Sequence, residues 1–185
     1  MKFLLVGLGN IGAEYELTRH NIGFLIADYL ADEANVSFKS DRLASTTQFR
    51  HKGKQIHLVK PSTYMNLSGK AVNYWMQLLK VPIGQTLIIT DDIALPLGKI
   101  RMRAKGSSAG HNGLQNVEET IGSNYPRLRV GIGNDFPRGR QVDYVLSRFS
   151  EEEFTELPKI IKQAGEAALS FCTAGIERTM NFFNN

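Results

Sequence analysis

Lys2-Phe3-Leu4-Leu5-Val6-Gly7-Leu8-Gly9-Asn10-Ile11-Gly12 decides how the rest of the chain is read. Lys2 to Val6 is a short apolar run closed by glycines, the pattern of a buried strand. A strand buried on both faces needs covering layers above and below it, so the next question is whether helical periodicity follows.

It does, and in alternation with further strands. Ile22, Leu25, Ile26, Tyr29 and Leu30 recur at helical spacing, which predicts an amphipathic helix from Asn21 to about Ala34. Leu43 to Phe49 and Gln55 to Val59 read as a hairpin turning near Lys52 and Gly53, with Pro61 stopping the second strand. Leu67, Ala71, Tyr74, Trp75 and Leu78 mark a second helix, closed by Pro82. Leu87 to Ile89 is a buried strand ending at Asp91 and Asp92, and Gly98 to Ala104 alternates basic and apolar residues like a strand with one wet face. Leu114, Val117 and Ile121 mark a third helix, and Arg127 to Ile132 a further strand. Ser150-Glu151-Glu152-Glu153 is a capping box opening a long helical tail, which Pro158 is expected to restart or kink and Gly175 to interrupt. The pattern predicts an α/β fold: a single domain over residues 1–185 with a central mixed twisted sheet covered by helices on both faces.

Composition narrows the function classes. Hydrophobic residues make up 42% of 185, enough for a full core, so disorder is excluded. No apolar stretch approaches the roughly 18–20 residues that cross a bilayer, and the first residues lack a secretory cleavage pattern. With Cys172 as the single cysteine there is no internal disulfide, and a reduced, cytoplasmic setting without a membrane anchor is expected. The net charge of +4 is unevenly spread. Residues 1–41 carry a net −3, Arg42 to Val117 a net +9, and the remainder −2. Asp91 and Asp92 are the only acids inside the basic middle, which points to a polyanionic partner or, more blandly, to a solvated basic face.

Two motifs tempt and fail. Gly7 to Gly12 matches G-x-G-x-x-G, but a dinucleotide site needs a helix opening inside the motif and an acid at the end of the next strand. Ala13 to Arg19 is polar and non-periodic, and Asp28, Asp32 and Glu33 lie on the predicted helix. The glycines more simply let the backbone bend and come close to a ligand. Gly106-Ser107-Ser108-Ala109-Gly110 matches a serine-esterase elbow, yet no histidine follows His111, so the acid-then-histidine order cannot be met. Cys172 sits in an apolar helical context and reads as an inert buried thiol. No metal-ligand spacing of the usual kind exists, and neither metal nor cofactor is expected.

Four loops keep polar residues that folding does not demand: Asn10, Tyr15 and Thr18-Arg19-His20-Asn21; Pro61-Ser62-Thr63-Tyr64-Met65-Asn66; Asp91; and Gly110-His111-Asn112-Gly113. In an open α/β sheet, loops at strand ends converge on one crevice. Each residue also has a dull use, since His20, Asn66 and Asn112 can cap helices, and Asn112 with Gln115 resembles a capping box.

At these residues the chain resembles the bacterial-type peptidyl-tRNA hydrolases. The matches are Gly7-Leu8-Gly9-Asn10, Tyr15 with Thr18 to Gly23, Lys60 to Gly69, Asp91, Gly110 to Leu114, Arg127 to Gly133, and Met180-Asn181, in family order along the whole chain. Ile11 stands where the family usually has proline, and Gln115-Asn116 where it commonly has a basic-plus-small pair. The resemblance implies hydrolysis of the ester joining a peptide to the 3′-terminal ribose of tRNA, by a monomer with no obligate protein partner and a mobile flap near Arg138 to Ser150.

It also implies roles. His20, Asp91 and Asn10 carry the chemistry, with His20 as general base toward water and Asp91 holding its other ring nitrogen. Tyr15, Tyr64, Met65, Asn66, His111 and Asn112 bind substrate, although a packed, hydrogen-bonded structural role for His111 stays open. Arg101, Arg103 and Arg129 clamp the tRNA 5′-phosphate, with Lys99 and Lys105 on the same strand face and Arg127 beside Arg129. A non-catalytic RNA-binding module on the same fold is the rival reading, favoured if no peptide is released from tRNA.

Overall fold

The structure, a computed structural model, describes residues 1–184, and its centre is β1 (Lys2–Gly7). From Phe3 onward every residue of β1 is buried. Phe3 and Leu5 enter one core cluster and Leu4 and Val6 the other, so successive side chains feed opposite faces of the sheet. β1 pairs in parallel with β4 (Lys54–Pro61) on one side and β5 (Thr86–Asp92) on the other. β7 (Arg127–Gly131) continues the parallel set beyond β5, and β6 (Ile100–Arg103) closes that edge antiparallel. On the far side β3 (Ala44–His51) and β2 (Lys39–Asp41) add two antiparallel strands, giving the order β2-β3-β4-β1-β5-β7-β6.

Helices α1 (Ile22–Glu33) and α5 (Glu151–Ala174) bury Ile22, Ile26, Leu30, Leu157 and Ile160 against the Phe3 face. On the Leu4 face, α2 (Ser68–Leu79) and α3 (Asn112–Ile121) contribute Val72, Trp75, Leu114 and Val117. The mixed sheet covered on both faces is therefore present. β4 and β5 flank β1, so the chain steps first to one side of its opening strand and then to the other. At the carboxyl end of β1 the following loops part, leaving the crevice expected at such a switch point.

Local differences from the sequence reading have identifiable causes. β3 starts at Ala44 because Leu43 turns the chain with φ 62°. β2 was not anticipated: Lys39-Ser40-Asp41 has no apolar residue, and only pairing with β3 makes it a strand. The Ser150 capping box is complete, with Glu153 N–H donating to Ser150 Oγ (3.2 Å) and Ser150 N–H to Glu153 Oε1 (2.7 Å). Pro158, however, does not restart the helix; α5 runs unbroken to Ala174, and Gly175 (φ 89°) separates it from α6 (Ile176–Phe183). A short helix, α4 (Gln141–Val145), lies within the segment read as a flap.

One glycine of the opening motif, Gly7, serves close packing within the protein. A Cβ on Gly7 would stand 2.1 Å from the carbonyl oxygen of Gly23, and one on Gly23 would stand 2.5 Å from Leu8 N. Backbone meets backbone where α1 crosses the end of β1, and only hydrogen fits between them. No helix opens inside the motif, since α1 begins at Ile22. At the β6 edge, the Asn184 side chain imitates a neighbouring strand: Met102 N–H donates to its Oδ1 (2.7 Å) and its Nδ2 donates to Met102 O (2.9 Å), which blunts an open edge.

Candidate active site

His20 is carried by a 3-10 turn, Arg19–Asn21, between the loop after β1 and the start of α1. Its Nδ1 lies 2.8 Å from Oδ2 of Asp91, a residue 2% exposed near the end of β5. The other carboxylate oxygen, Oδ1, lies 2.8 Å from His111 Nε2, and Thr90 Oγ1 is within hydrogen-bonding distance of both. Two histidines far apart in the chain thus share one buried carboxylate, each on its own oxygen.

The tautomers follow from the helix beside them. His111 is the N-cap of α3, and its Nδ1 accepts from the backbone N–H groups of Gly113 (3.1 Å) and Leu114 (3.2 Å). That lone pair is occupied, so the ring proton sits on Nε2 and is donated to Asp91. Asp91 then receives Nδ1–H of His20 on its second oxygen, which leaves the His20 Nε2 lone pair without a hydrogen-bond partner among the described residues. The cleft it borders has a volume of about 230 Å³.

Electrostatics reinforce the arrangement. Burial alone would lift the Asp91 carboxyl, but the two imidazoles in contact with it hold it well below the usual carboxylate range. For His20, burial pulls the pKa down, yet the neighbouring Asp91 charge and hydrogen bond outweigh it and the net shift is upward from 6.5. His20, Asp91 and His111 place three ligand atoms within 4.8 Å of one another. A cation on His111 Nε2 would need a proton on Nδ1, which faces two N–H donors, so the cluster is built for protons rather than for a metal ion.

Asn10 is clamped from both sides. Its Oδ1 accepts from Met65 N–H (2.7 Å), and its backbone N–H and carbonyl bond the Asn21 carboxamide at 2.8 and 2.9 Å. The oxygen is therefore engaged and Nδ2 keeps its donors. Asn66 and Asn112 are exposed at the cleft, and buried Met65 forms part of its wall. None of His20, Asn66 and Asn112 caps a helix; the cap of α3 is His111, and Gln115 bonds Glu119 instead of closing a box with Asn112. His111 is structural and central at once. Its exchangeable proton touches the carboxylate that orients His20.

Tyr15 and Tyr64 do not border this cleft. Tyr15 holds its own loop, its carbonyl accepting from the Thr18 N–H and hydroxyl, while Tyr64 is 55% exposed on the approach to Met65. Arg129 does border the cleft, and Arg101 stands directly opposite it across β6 and β7. Opposed side chains on such strands lie about 5 Å apart, and two cations there repel unless an anion joins them. Arg129 Nη2 donates to Ser107 O (2.6 Å), and Nη1 is 3.9 Å from Asp92 Oδ2. Arg103 continues the row, exposed, at the end of β6.

Two expectations for this row need correction. Lys99 and Lys105 flank β6 instead of lying in it. Arg127 is not available to a ligand: it is 1% exposed, stacks 3.8 Å over Tyr125 and donates to the carbonyls of Gly106, Ser107, Ser123 and Tyr125. It braces the loop that carries Gly106 to Gly110. Asn116, at a departure from the family pattern, accepts Gly69 N–H (2.7 Å) and ties the start of α2 to α3.

Sequence reasoning missed the opposite wall. Val142, Val145 and Leu146, from α4 and the residue after it, face the cleft together with Ile93. Their i, i+3, i+4 spacing was the available signal, hidden by its brevity and by Arg138, Arg140 and Asp143 around it.

The comparisons with known proteins agree with one another. A family model described as peptidyl-tRNA hydrolase matches residues 4–185. Proteins named peptidyl-tRNA hydrolase from Cytophaga hutchinsonii and Bacteroides fragilis are each 56% identical over 185 residues, covering all of this chain and 98% and 99% of theirs. The crystal structure of a peptidyl-tRNA hydrolase from Acinetobacter baumannii superposes with a TM-score of 0.92 at 33% identity, over 98% of this chain and 94% of that one.

Proposed function

The chain belongs to the peptidyl-tRNA hydrolase family and is a hydrolase, and from that premise we propose that it frees tRNA from peptidyl-tRNA with His20 as general base. The observation that carries the reading is the free Nε2 of His20, set by the hydrogen bond from Nδ1 to an Asp91 already engaged by His111. Water at Nε2 gives up a proton as its oxygen attacks the ester carbonyl carbon. The oxyanion that forms is met by carboxamide donors, Asn10 Nδ2 within the cleft and Asn112 at its rim. Collapse breaks the bond to the ribose 3′-oxygen, which takes the proton back from the imidazolium. Asp91 stays ionised throughout and stabilises that cation.

Asn66 orients the peptide end, and Met65 packs against the acyl group. Tyr15 and Tyr64 offer aromatic faces to the terminal adenine outside the cleft. Arg129, at the cleft, and Arg101 and Arg103 beyond it bind the 5′-phosphate region. Such contacts carry little sequence information and suit an enzyme that accepts many tRNAs. The same reading has the protein act as a monomer in the cytoplasm; among the described residues no helix is long and apolar enough to cross a membrane.

The test is release of the acyl group from an N-acetylaminoacyl-tRNA. His20→Ala should nearly abolish turnover and leave tRNA affinity within a few fold; unchanged turnover removes His20 from the mechanism.

A further inference from the structure

Arg19, the residue immediately before His20, is 8% exposed and does not line the cleft. Its guanidinium makes four hydrogen bonds. Nη1 donates to Tyr144 O (3.0 Å) and to Ser147 Oγ, while Nε and Nη2 grip the Glu153 carboxylate at 3.3 and 2.7 Å. The same group lies 4.0 Å over the Tyr144 ring. The backbone repeats the connection: Arg19 N–H donates to Ser147 O (3.1 Å), Phe149 N–H to Leu17 O (3.3 Å), and Thr18 bridges to Arg148.

Three segments meet on this one side chain: the turn bearing His20, the end of α4, and the first turn of α5. A helix of five residues cannot hold itself in water, because nucleation outweighs so few hydrogen bonds. Its last carbonyls also lack helical partners, and a cation there is favourable. Tyr144 O already accepts from Ser147 N–H (3.2 Å) and Ser147 Oγ (2.7 Å), and Arg19 adds the cationic donor that ties this helix end to the His20 turn. Tyr144 adds an anchor on the other side, its hydroxyl donating to Ile132 O (2.6 Å) just past β7. On the cleft side of the same helix stand Val142 and Val145, with Leu146 following.

We propose that Arg19 is a positioning residue that fixes the apolar wall of the cleft relative to His20. The inference rests on the reading of the cleft as an acyl-ester site and deepens it. Arg19 ties the wall to the turn that bears the general base, so an acyl side chain resting on Val142, Val145 and Leu146 delivers its carbonyl carbon to the water at His20. Small acyl groups, which do not reach the wall, gain nothing from it.

The experiment compares Arg19→Gln and Arg19→Lys with wild type on two N-acetylated substrates, phenylalanyl-tRNA and glycyl-tRNA. Thermal unfolding and amide exchange at residues 141–149 are followed alongside. Arg19→Gln should lower kcat/KM for the phenylalanyl substrate at least tenfold more than for the glycyl one. The acid limb of the pH profile stays put, since the His20–Asp91 pair is untouched, and the amides of 141–149 exchange faster. Arg19→Lys keeps the charge toward Glu153 but cannot also fork to Tyr144 O, so it should fall between; it is read in place of Arg19→Gln if that variant does not fold. An equal loss on both substrates, or none, overturns the proposal. A wild-type protein that releases neither acyl group overturns the functional reading along with it, which separates the two failures.

Discussion

His111 Nε2 lies 2.8 Å from Asp91 Oδ1, while its Nδ1 accepts two N–H groups at the start of α3. One imidazole therefore caps a helix with one nitrogen and supports the carboxylate of the His20 pair with the other. The two duties can be separated by substitution. His111→Ala loses both, and should cost about 1 kcal/mol of stability for the cap together with roughly tenfold or more in kcat for a buried carboxylate that has lost its imidazole donor on Oδ1. His111→Asn restores a good cap but is too short to reach Asp91. It should recover the unfolding temperature and leave the rate low. Recovery of both by His111→Asn would show that the Nε2 contact does nothing for turnover.

The pH dependence follows from the signs at His20. Its pKa is raised in the folded protein, so with His20 as the proposed general base, protonated and idle below that value, the acid limb of kcat/KM should bend above pH 6.5. Asp91→Asn removes the charge and leaves burial, whose effect alone is downward, so the limb should move below 6.5. The plateau should fall about 10²–10⁴-fold with the tautomer no longer held. A limb that stays in place after Asp91→Asn would refute the pairing as the source of the shift. The paired state of His20 adds stability that is complete below 6.5 and disappears as pH rises through the raised value.

Arg101 and Arg127 answer to different measurements. Arg101→Gln with Arg103→Gln should reduce the slope of log affinity against log salt for tRNA by about 0.7–0.9 per charge removed. Protein stability should change little. Arg127→Gln should leave that slope alone and destabilise the fold by about 3 kcal/mol or more, because several carbonyls lose a buried cationic donor. Equal salt slopes before and after the double substitution would take Arg101 and Arg103 out of the tRNA contact.

Gly7→Ala and Gly23→Ala test the crossing of β1 and α1. Each added methyl meets backbone closer than any relaxed contact, so each should cost about 1–3 kcal/mol or more in chemical denaturation. Activity should fall as well, because α1 begins immediately after the turn that holds His20. Gly53→Ala, where a Cβ meets nothing within 4 Å but φ is +78°, should cost only about 1 kcal/mol.

Periodicity was enough for the sheet and the large helices because burial imposes it locally. The alternation in β1 and the spacing of Ile22, Ile26 and Leu30 are each visible within a dozen residues. Elements with too few residues to show a period escaped: β2, which is a strand only through β3, and α4, which holds through Arg19 and Tyr144. The restart read at Pro158 does not occur for a related reason, since a proline's local penalty does not stop a helix whose packing on either side is secured.

The amino-acid order by itself settled the layered fold and the candidate residues at the strand ends, because solvent exclusion and the turn-and-cap rules act between near neighbours. It could not say which cation is held inside the protein and which borders the cleft, and here Arg127 and Arg129, two positions apart, divide in that way. Nor could it say which nitrogen of His20 is free. That depends on Asp91, seventy-one residues away, on His111, and on two amides of a helix beyond it. Proton placement is a property of partners brought together across the chain, and only the folded arrangement brings them together.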